Sequence, residues 1–212
     1  MIITEVSAAG NKKDRISVVF EDGSEIKTGT AEIADFGLYP GRELTDNEYT
    51  QLLSDLALRS SKARAIRILG NRSLSAHEIE KRLKSKGESE EAAAKTVEWL
   101  EDVGIVNDEE YAASIVKHYL QRGYGRARIR DELFRRGIKR DMWDAPLAVL
   151  EDEDMYEKAY DYLAKKLSGS RDPQDVRRTV EALCRRGFSF EEARTAVKRY
   201  MESSGEAEDK EL

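Results

Sequence analysis

Three glycines that recur at a fixed interval most constrain how this chain folds. Gly87, Gly137 and Gly187 lie 50 residues apart, and each follows a lysine or arginine. A glycine just past a helix end accepts the left-handed backbone conformation that closes the helix, and a basic residue there suits the negative end of the helix dipole. The interval therefore predicts the same helix-ending connection three times.

Apolar residues repeat with the glycines. Leucines lie four residues before each glycine, and after each glycine three apolar residues follow at helical spacing: Ala93, Val97 and Leu100; Trp143, Leu147 and Leu150; Ala193, Val197 and Tyr200. Residues i, i+4 and i+7 share one face of a helix, so a helix is predicted on both sides of each glycine. A further helix is predicted ahead of each pair, at 62–69, 109–120 and 155–167. Units of this size bury little by themselves and are stabilised by stacking on each other.

The first residues of the chain predict β structure instead. Ile16, Val18 and Phe20 are β-prone, and Asp22-Gly23 is a hairpin signal, although a loop of four residues leaves the register open. Thr45 begins a capping-box pattern that starts the first helix. The predicted fold is mainly α, with three tandem three-helix repeats in an elongated curved array and a small N-terminal β-hairpin or strand extension. The predicted boundaries are 1–44 for the β-rich extension, 45–106 for a leading helix and the first repeat, 107–152 for the second repeat, 153–203 for the third, and 204–212 for a disordered acidic tail.

Composition argues against an enzyme, a metalloprotein and a membrane protein. Charged residues make up 37% of the chain, which is typical of surface-rich helices. Two histidines, His77 and His118, and a single cysteine, Cys184, offer no redundancy for a zinc site or a catalytic triad. We expect no cofactor, no metal and a buried, inert Cys184 thiol. The single cysteine and the lack of a long apolar run predict a cytoplasmic protein without disulfides.

A basic stretch interrupts this acidic chain. The net charge is −6, yet residues 117–140 hold nine basic residues and two acidic ones. One interpretation is a solvated helix face paired with Asp131 and Glu132; the other is a surface for an acidic protein or for phosphates, which the planar fork of arginine suits. We favour the second, with Arg126 and Arg130 projecting together as i, i+4 neighbours. The candidate residues are Arg122, Arg126, Arg128, Arg130, Arg135, Arg136, Lys139 and Arg140, with Tyr124 undecided and Trp143 assigned to the core.

Several segments resemble the RecX family. Ala63–Leu69, Asn71–Ser75 and His77–Leu83 are similar to its first repeat, and the order Leu100–Asp108 then Gly125–Leu133 is similar to its signature across the first two repeats. The resemblance covers residues 60–150 well and 151–203 loosely. It implies a non-enzymatic, three-repeat regulator that binds RecA filaments and inhibits strand exchange and ATP hydrolysis from the filament groove. We expect a monomer that contacts DNA only within the filament.

Two other functions remain open. A three-helix unit can act as an autonomous DNA-binding module of the helix-turn-helix kind. Glu98, Glu101 and Asp102 on the second helix of the first pair count against it, since they would face phosphates. A protein scaffold that shares only the repeat is the third hypothesis.

Overall fold

The N-terminal residues form a small antiparallel sheet. The computed structural model describes residues 1–9, 15–70 and 72–208, with side chains to residue 203. The strands are β1 (Ile3–Ala8), β2 (Ile16–Phe20) and β3 (Glu25–Thr28), paired in the order β1-β2-β3. Val19 pairs with Glu25, and the Asp22 carboxylate accepts hydrogen bonds from the backbone N–H and the hydroxyl of Ser24. The predicted hairpin is confirmed, and its register is defined by this turn.

The sheet shares a core with two helices. Helix α1 spans Thr30–Asp35 and α2 spans Asp46–Leu69. The Tyr49 ring of α2 packs edge-on against Phe20 of β2, with 5.2 Å between ring centroids. The N-terminal ammonium of Met1 donates to the Leu44 carbonyl at 3.0 Å, which holds the start of the chain beside the start of α2. The buried core residues are Ile3, Val18, Phe20, Leu38, Leu44 and Leu52.

Helix α2 is continuous for 24 residues. Its predicted capping box is confirmed, because the Thr45 hydroxyl accepts from the Glu48 N–H while the Glu48 carboxylate accepts from the Thr45 N–H. The prediction of a separate helix beginning at residue 62 is wrong. Ser61 does not break α2, because its hydroxyl is buried and bonded to Ala92 and Thr96 of helix α4 (Glu90–Asp102). Helix α3 (Ala76–Ser85) precedes α4.

The chain divides into two compact units: Met1–Asn71 with Ile79–Leu100, and Arg72–Glu78 with Glu101–Leu212. The second unit contains α5 (Asp108–Gln121), α6 (Arg126–Arg135), α7 (Asp144–Leu147), α8 (Asp152–Leu167), α9 (Pro173–Arg185) and α10 (Phe190–Glu208). These helices pack around one core, in which Leu133, Met155 and Leu183 are fully buried. The prediction of a mainly helical chain with a small N-terminal sheet is confirmed.

The helix after Gly137 is interrupted. The stripe of Trp143, Leu147 and Leu150 predicts a regular helix, but a 3-10 turn (Arg140–Met142) precedes α7, which has four residues. Pro146 accounts for the break, since proline lacks a backbone N–H and is tolerated only in the first turn of a helix, where it lies here. The prediction of a regular helix at this position is wrong. The Trp143 side chain nevertheless packs against the core, and its Nε1 donates to the Ile138 carbonyl at 3.0 Å.

Gly187 joins two successive helix trios of the second unit, the middle trio (α5, α6 and α7) and the third trio (α8, α9 and α10). It follows α9 with φ +90°, and a Cβ built on it would overlap the backbone nitrogen of Arg128 in α6. At this contact the Ala127 N–H donates to the Gly187 carbonyl at 3.1 Å, and the Gly125 N–H donates to the Arg186 carbonyl at 2.9 Å. Gly187 thus both ends a helix and admits the backbone of the preceding trio.

The last helix reaches Glu208. The predicted acidic tail, 204–212, begins within it, and residues 209–212 lie outside the described residues. Among the residues that the structure describes, no helix has the length and apolarity needed to cross a membrane.

Candidate partner-binding surface

The predicted basic residues all lie in the second unit, at the end of α5, along α6 and around the 3-10 turn. The structure separates them by what their guanidinium groups contact. Arg126 and Arg136 are half-buried and bonded to carboxylates of other elements. The five exposed residues are Arg122, Arg130, Arg135, Lys139 and Arg140, and Arg128 is half-buried.

Arg126 ties α6 to helices that follow it in the chain. Its guanidinium forms ion pairs with Asp152 at 2.8 Å and Glu192 at 3.1 Å, and also donates to the Leu150 carbonyl. Glu192 is buried and belongs to the capping box of α10, where it accepts from the Ser189 N–H. Arg126 is therefore engaged with other parts of the protein, whereas Arg130 is exposed, and the joint action of the two side chains stays a prediction.

Arg136 is the centre of a second buried network. It donates to Glu132 at 2.8 Å, to Glu78 at 3.2 Å and to the Tyr111 hydroxyl at 2.8 Å. Burial alone would raise the pKa of Glu132, but the bonds from Arg136 and Tyr119 outweigh it and hold that pKa below its ordinary value. The hydrogen bond to Glu132 raises the pKa of Arg136 further. Both groups are charged at neutral pH, so the Arg136 guanidinium is already paired within the protein.

The remaining cations face solvent, except for Arg128, which is half-buried. Arg135 makes one i, i+3 pair with Glu132 at 3.3 Å and keeps 65% of its side-chain area exposed. Within the described part of the chain, Arg128, Arg130 and Lys139 have no ion-pair partner within 4 Å. An exposed cation without an internal partner can bind an external anion without first breaking a contact. These side chains are the available part of the predicted surface.

A groove on this surface pairs cations with aromatic rings. Arg130 and Arg140 line a groove of about 580 Å³ together with Phe134 and Trp143, and Asp131, Asp144 and Leu147 complete its walls. Phe134 is 66% exposed, and the Arg140 guanidinium lies 5.8 Å from the Trp143 ring centroid. Sequence reasoning missed Phe134. In the 50-residue repeat the residues equivalent to Phe134 are Lys84 and Cys184, and this position lies outside the apolar stripe. A large aromatic residue at a position that the repeat does not bury was therefore a signal of an exposed ring.

Tyr124, left undecided from the sequence, lies under an arginine of the third trio. The Arg186 guanidinium is 4.6 Å from the Tyr124 ring centroid, and its Nε donates to the Gly123 carbonyl at 3.0 Å. Tyr119 packs on the same ring at 5.2 Å. These contacts occupy the ring, so it is placed as a packing residue between trios. Beside it, Arg122 is exposed, with its Nη1 3.4 Å from His118 Nε2.

The structure offers little for metal or thiol chemistry. Among the described residues, no group of three or more His, Cys, Asp or Glu side chains is arranged to hold a metal ion. Cys184 is exposed, so the expectation of a buried thiol is wrong. Its neighbour Leu183 occupies the buried helix position, which leaves Cys184 on the outer face of α9.

The fold and this surface define a tandem three-helix-repeat protein with an N-terminal sheet and exposed arginines on its middle trio. Family models described as the first and second three-helix domains of RecX match residues 62–100 and 107–147. The regulatory protein RecX of Caldanaerobacter subterraneus subsp. tengcongensis is 30% identical over 84% of this chain and 90% of its own length. That of Clostridioides difficile is 26% identical over 90% of this chain and 91% of its own length. The chain belongs to the RecX family of regulatory proteins.

Solved structures share the fold. A crystal structure of a regulatory protein RecX aligns with a TM-score of 0.71 at 20% identity, covering 93% of this chain and 98% of that one. The structure of RecX from Lactobacillus salivarius aligns with a TM-score of 0.60 at 22% identity, covering 68% of this chain and 96% of that one.

Proposed function

We propose that this protein binds the RecA–DNA filament and inhibits its recombinase and ATPase activities. Membership of the RecX family supports the partner and the regulatory role, since the two relatives described above are called regulatory proteins. The observation that carries the choice of surface is the groove in which Arg130 and Arg140 lie beside the exposed Phe134 ring. We assign no catalytic role to any residue.

The cations and aromatic rings of the groove suit binding to a partner surface that carries negative charge. Aromatic residues and arginine contribute most of the binding energy at protein interfaces, and arginine also pairs with carboxylates and phosphates in two-pronged fashion. Because the Phe134 ring is exposed to water in the free protein, its burial by a partner contributes favourably to binding. The proposed contact residues are Arg122, Arg128, Arg130, Phe134, Arg135, Lys139 and Arg140.

Arg126 and Arg136 have a different proposed role. Arg126 reaches Glu192, the capping-box glutamate of α10, and Arg136 reaches Glu78. Glu78 forms an equivalent capping box at the start of α3, where it accepts from the Ser75 N–H at 3.2 Å and donates its own N–H to the Ser75 hydroxyl at 3.0 Å. We propose that the two arginines position the surface by fixing α6, and that they do not contact the partner. The repeat boundaries that we propose are 45–106, 107–152 and 153–203, and we propose a monomer whose second repeat meets DNA only within the filament.

The test is the single-stranded-DNA-dependent ATPase of RecA titrated with the purified protein. We expect inhibition at substoichiometric to stoichiometric ratios and a weaker effect for the double variant Arg130→Glu/Arg140→Glu. Two reversed charges at an interface of this kind cost about tenfold or more in affinity. No inhibition by the wild-type protein at high excess would refute the function.

A matched control separates the surface from overall charge. Arg178→Glu/Lys198→Glu makes the same change in net charge at side chains that are 75% and 78% exposed. We expect this control to inhibit like the wild type. Equal loss of inhibition in both double variants would show that net charge matters and the groove does not.

A further inference from the structure

A basic pocket lies between β3 and α2 in the first unit. Its volume is about 350 Å³, and its polar lining consists of four cations and two hydroxyl residues: Arg15, Lys27, Thr28, Arg59, Ser60 and Arg67. Arg59 and Arg67 are two turns apart on α2, so they share one face of that helix. Lys27 and Thr28 end β3, an edge strand of the sheet.

Local geometry brings these cations together. Thr28 pairs with Ile16 across β2 and β3, and Arg15, which directly precedes Ile16 in the chain, lines the same pocket as Thr28. Gly29 has no side chain, and a Cβ there would come within 2.5 Å of Arg59 Nη1. The missing side chain therefore lets the Arg59 guanidinium lie against the Gly29 backbone at the end of β3. On the α2 side, Arg67 Nε donates to the Ala63 carbonyl at 3.1 Å.

The described residues do not balance the charge in this pocket. The nearby carboxylate is Glu32, which is buried, bonded to Arg59, and accepts from the Gly29 N–H at 3.1 Å. Burial favours a higher pKa for Glu32, but the backbone N–H bonds and Arg59 outweigh it and lower that pKa, so Glu32 stays ionised. Within the described residues, Arg15, Lys27 and Arg67 have no ion-pair partner within 4 Å.

This clustering occurs in an acidic part of the chain. Residues 1–67 contain nine basic and eleven acidic residues, yet three cations without an ion-pair partner among the described residues line one small concave site together with Arg59. Like charges that line one small pocket repel each other, and an anion bound among them offsets that repulsion. Arginine and lysine side chains flanked by hydroxyls are the donors that bind phosphate groups in proteins.

We infer that this pocket is a phosphate-binding site and that its ligand is the phosphodiester backbone of a nucleic acid strand. The described residues of the lining include no aromatic ring on which a base could stack, so we expect the site to bind phosphates without regard to base sequence. It belongs to the first unit and uses none of the residues of the second-repeat groove. The inference therefore goes beyond the proposed function and does not depend on RecA.

The test measures binding of the full-length protein to fluorescein-labelled oligothymidylate by anisotropy, at several salt concentrations and without RecA. We expect weak, salt-sensitive binding by the wild type and a loss of about tenfold or more in Lys27→Glu/Arg67→Glu. The slope of log affinity against log salt should become shallower by about 1.4, since each phosphate contact on a single strand contributes about 0.7. Lys27→Gln/Arg67→Gln provides a milder variant should the charge reversal disturb folding.

Two comparisons decide the outcome. Arg178→Glu/Lys198→Glu carries the same charge change and should bind like the wild type; equal binding by the pocket variant and the wild type would overturn the inference. Inorganic phosphate, added at constant ionic strength, should compete with the oligonucleotide. Thermal stabilisation by inorganic phosphate that is lost in the pocket variant, with no oligonucleotide binding, would identify free phosphate as the ligand and overturn the assignment to nucleic acid.

Discussion

Replacing Gly187 with alanine tests whether the repeated glycines also join the trios. Gly187 has φ +90°, and a Cβ there would overlap the backbone of Arg128. Gly169 is the matched control, because it lies in the same unit with φ +93° and a Cβ there would meet nothing within 4 Å. The two substitutions thus share the backbone strain and differ in the contact with α6.

The expected magnitudes follow from the two contributions. A left-handed backbone costs a residue with a side chain about 1–2 kcal/mol, which applies to both variants. Room for a Cβ at Gly187 requires α6 to move away, which weakens the bonds from Ala127 to Gly187 and from Gly125 to Arg186. At about 0.5–1.5 kcal/mol for each bond, Gly187→Ala should lower the free energy of unfolding by about 1–3 kcal/mol more than Gly169→Ala.

The assay is urea unfolding followed by tryptophan fluorescence. The chain has two tryptophans, and a Trp99→Phe background leaves Trp143 to report on the second unit. We expect the midpoint to fall further for Gly187→Ala than for Gly169→Ala at unchanged slope. Equal shifts would refute the joining role, and would leave Gly187 with the helix-ending role that the sequence already predicts.

Two buried carboxylates give further predictions. Asp108 accepts from the Ala76 N–H at 2.9 Å, so Asp108→Ala should lose about 1–3 kcal/mol in urea unfolding while Asp108→Asn, which keeps an acceptor, should lose less. Burial raises the pKa of Asp108. The free energy of unfolding of the wild type relative to Asp108→Asn should therefore be greatest at acidic pH and decline as pH rises through that raised pKa. A difference that stays constant with pH would contradict this. Glu132 has a lowered pKa, so its contribution is present above the ordinary glutamate pKa and is lost as pH falls through the lowered value. The difference in melting temperature between wild type and Glu132→Gln should therefore be large at neutral pH and shrink in acid, and a difference that persists in acid would argue against the bond with Arg136.

Local signals predicted the elements of this fold well. The capping box at Thr45 and the Asp22-Gly23 turn each act through residues that are near in sequence, so the pattern and the contact are the same observation. The 50-residue repeat predicted most helices correctly, because each helix depends on the spacing of apolar residues within its own segment. The repeat predicted a regular helix after Gly137 wrongly. The sequence already contained the reason, because Pro146 lies in the middle of the apolar stripe and does not permit a regular helix there.

The candidate surface was harder to predict because ion pairs form over long sequence distances. Arg126 meets Glu192 and Arg136 meets Glu78, which are 66 and 58 residues away. Charge counting over a 24-residue window treats all these arginines alike, and the packing of trios decides which are used internally. The pocket formed by β3 and α2 was hidden for the same reason, since its cations are spread from Arg15 to Arg67 in an acidic segment.

Binding to the recombinase filament tests the central claim most directly. The measurement is the anisotropy of the protein, labelled at exposed Cys184, titrated with RecA filaments assembled on single-stranded DNA with a nonhydrolysable nucleotide. The account predicts saturable binding that Arg130→Glu/Arg140→Glu weakens and Arg178→Glu/Lys198→Glu leaves intact. Absence of binding to filaments at any concentration, or equal binding by all three proteins, would contradict it.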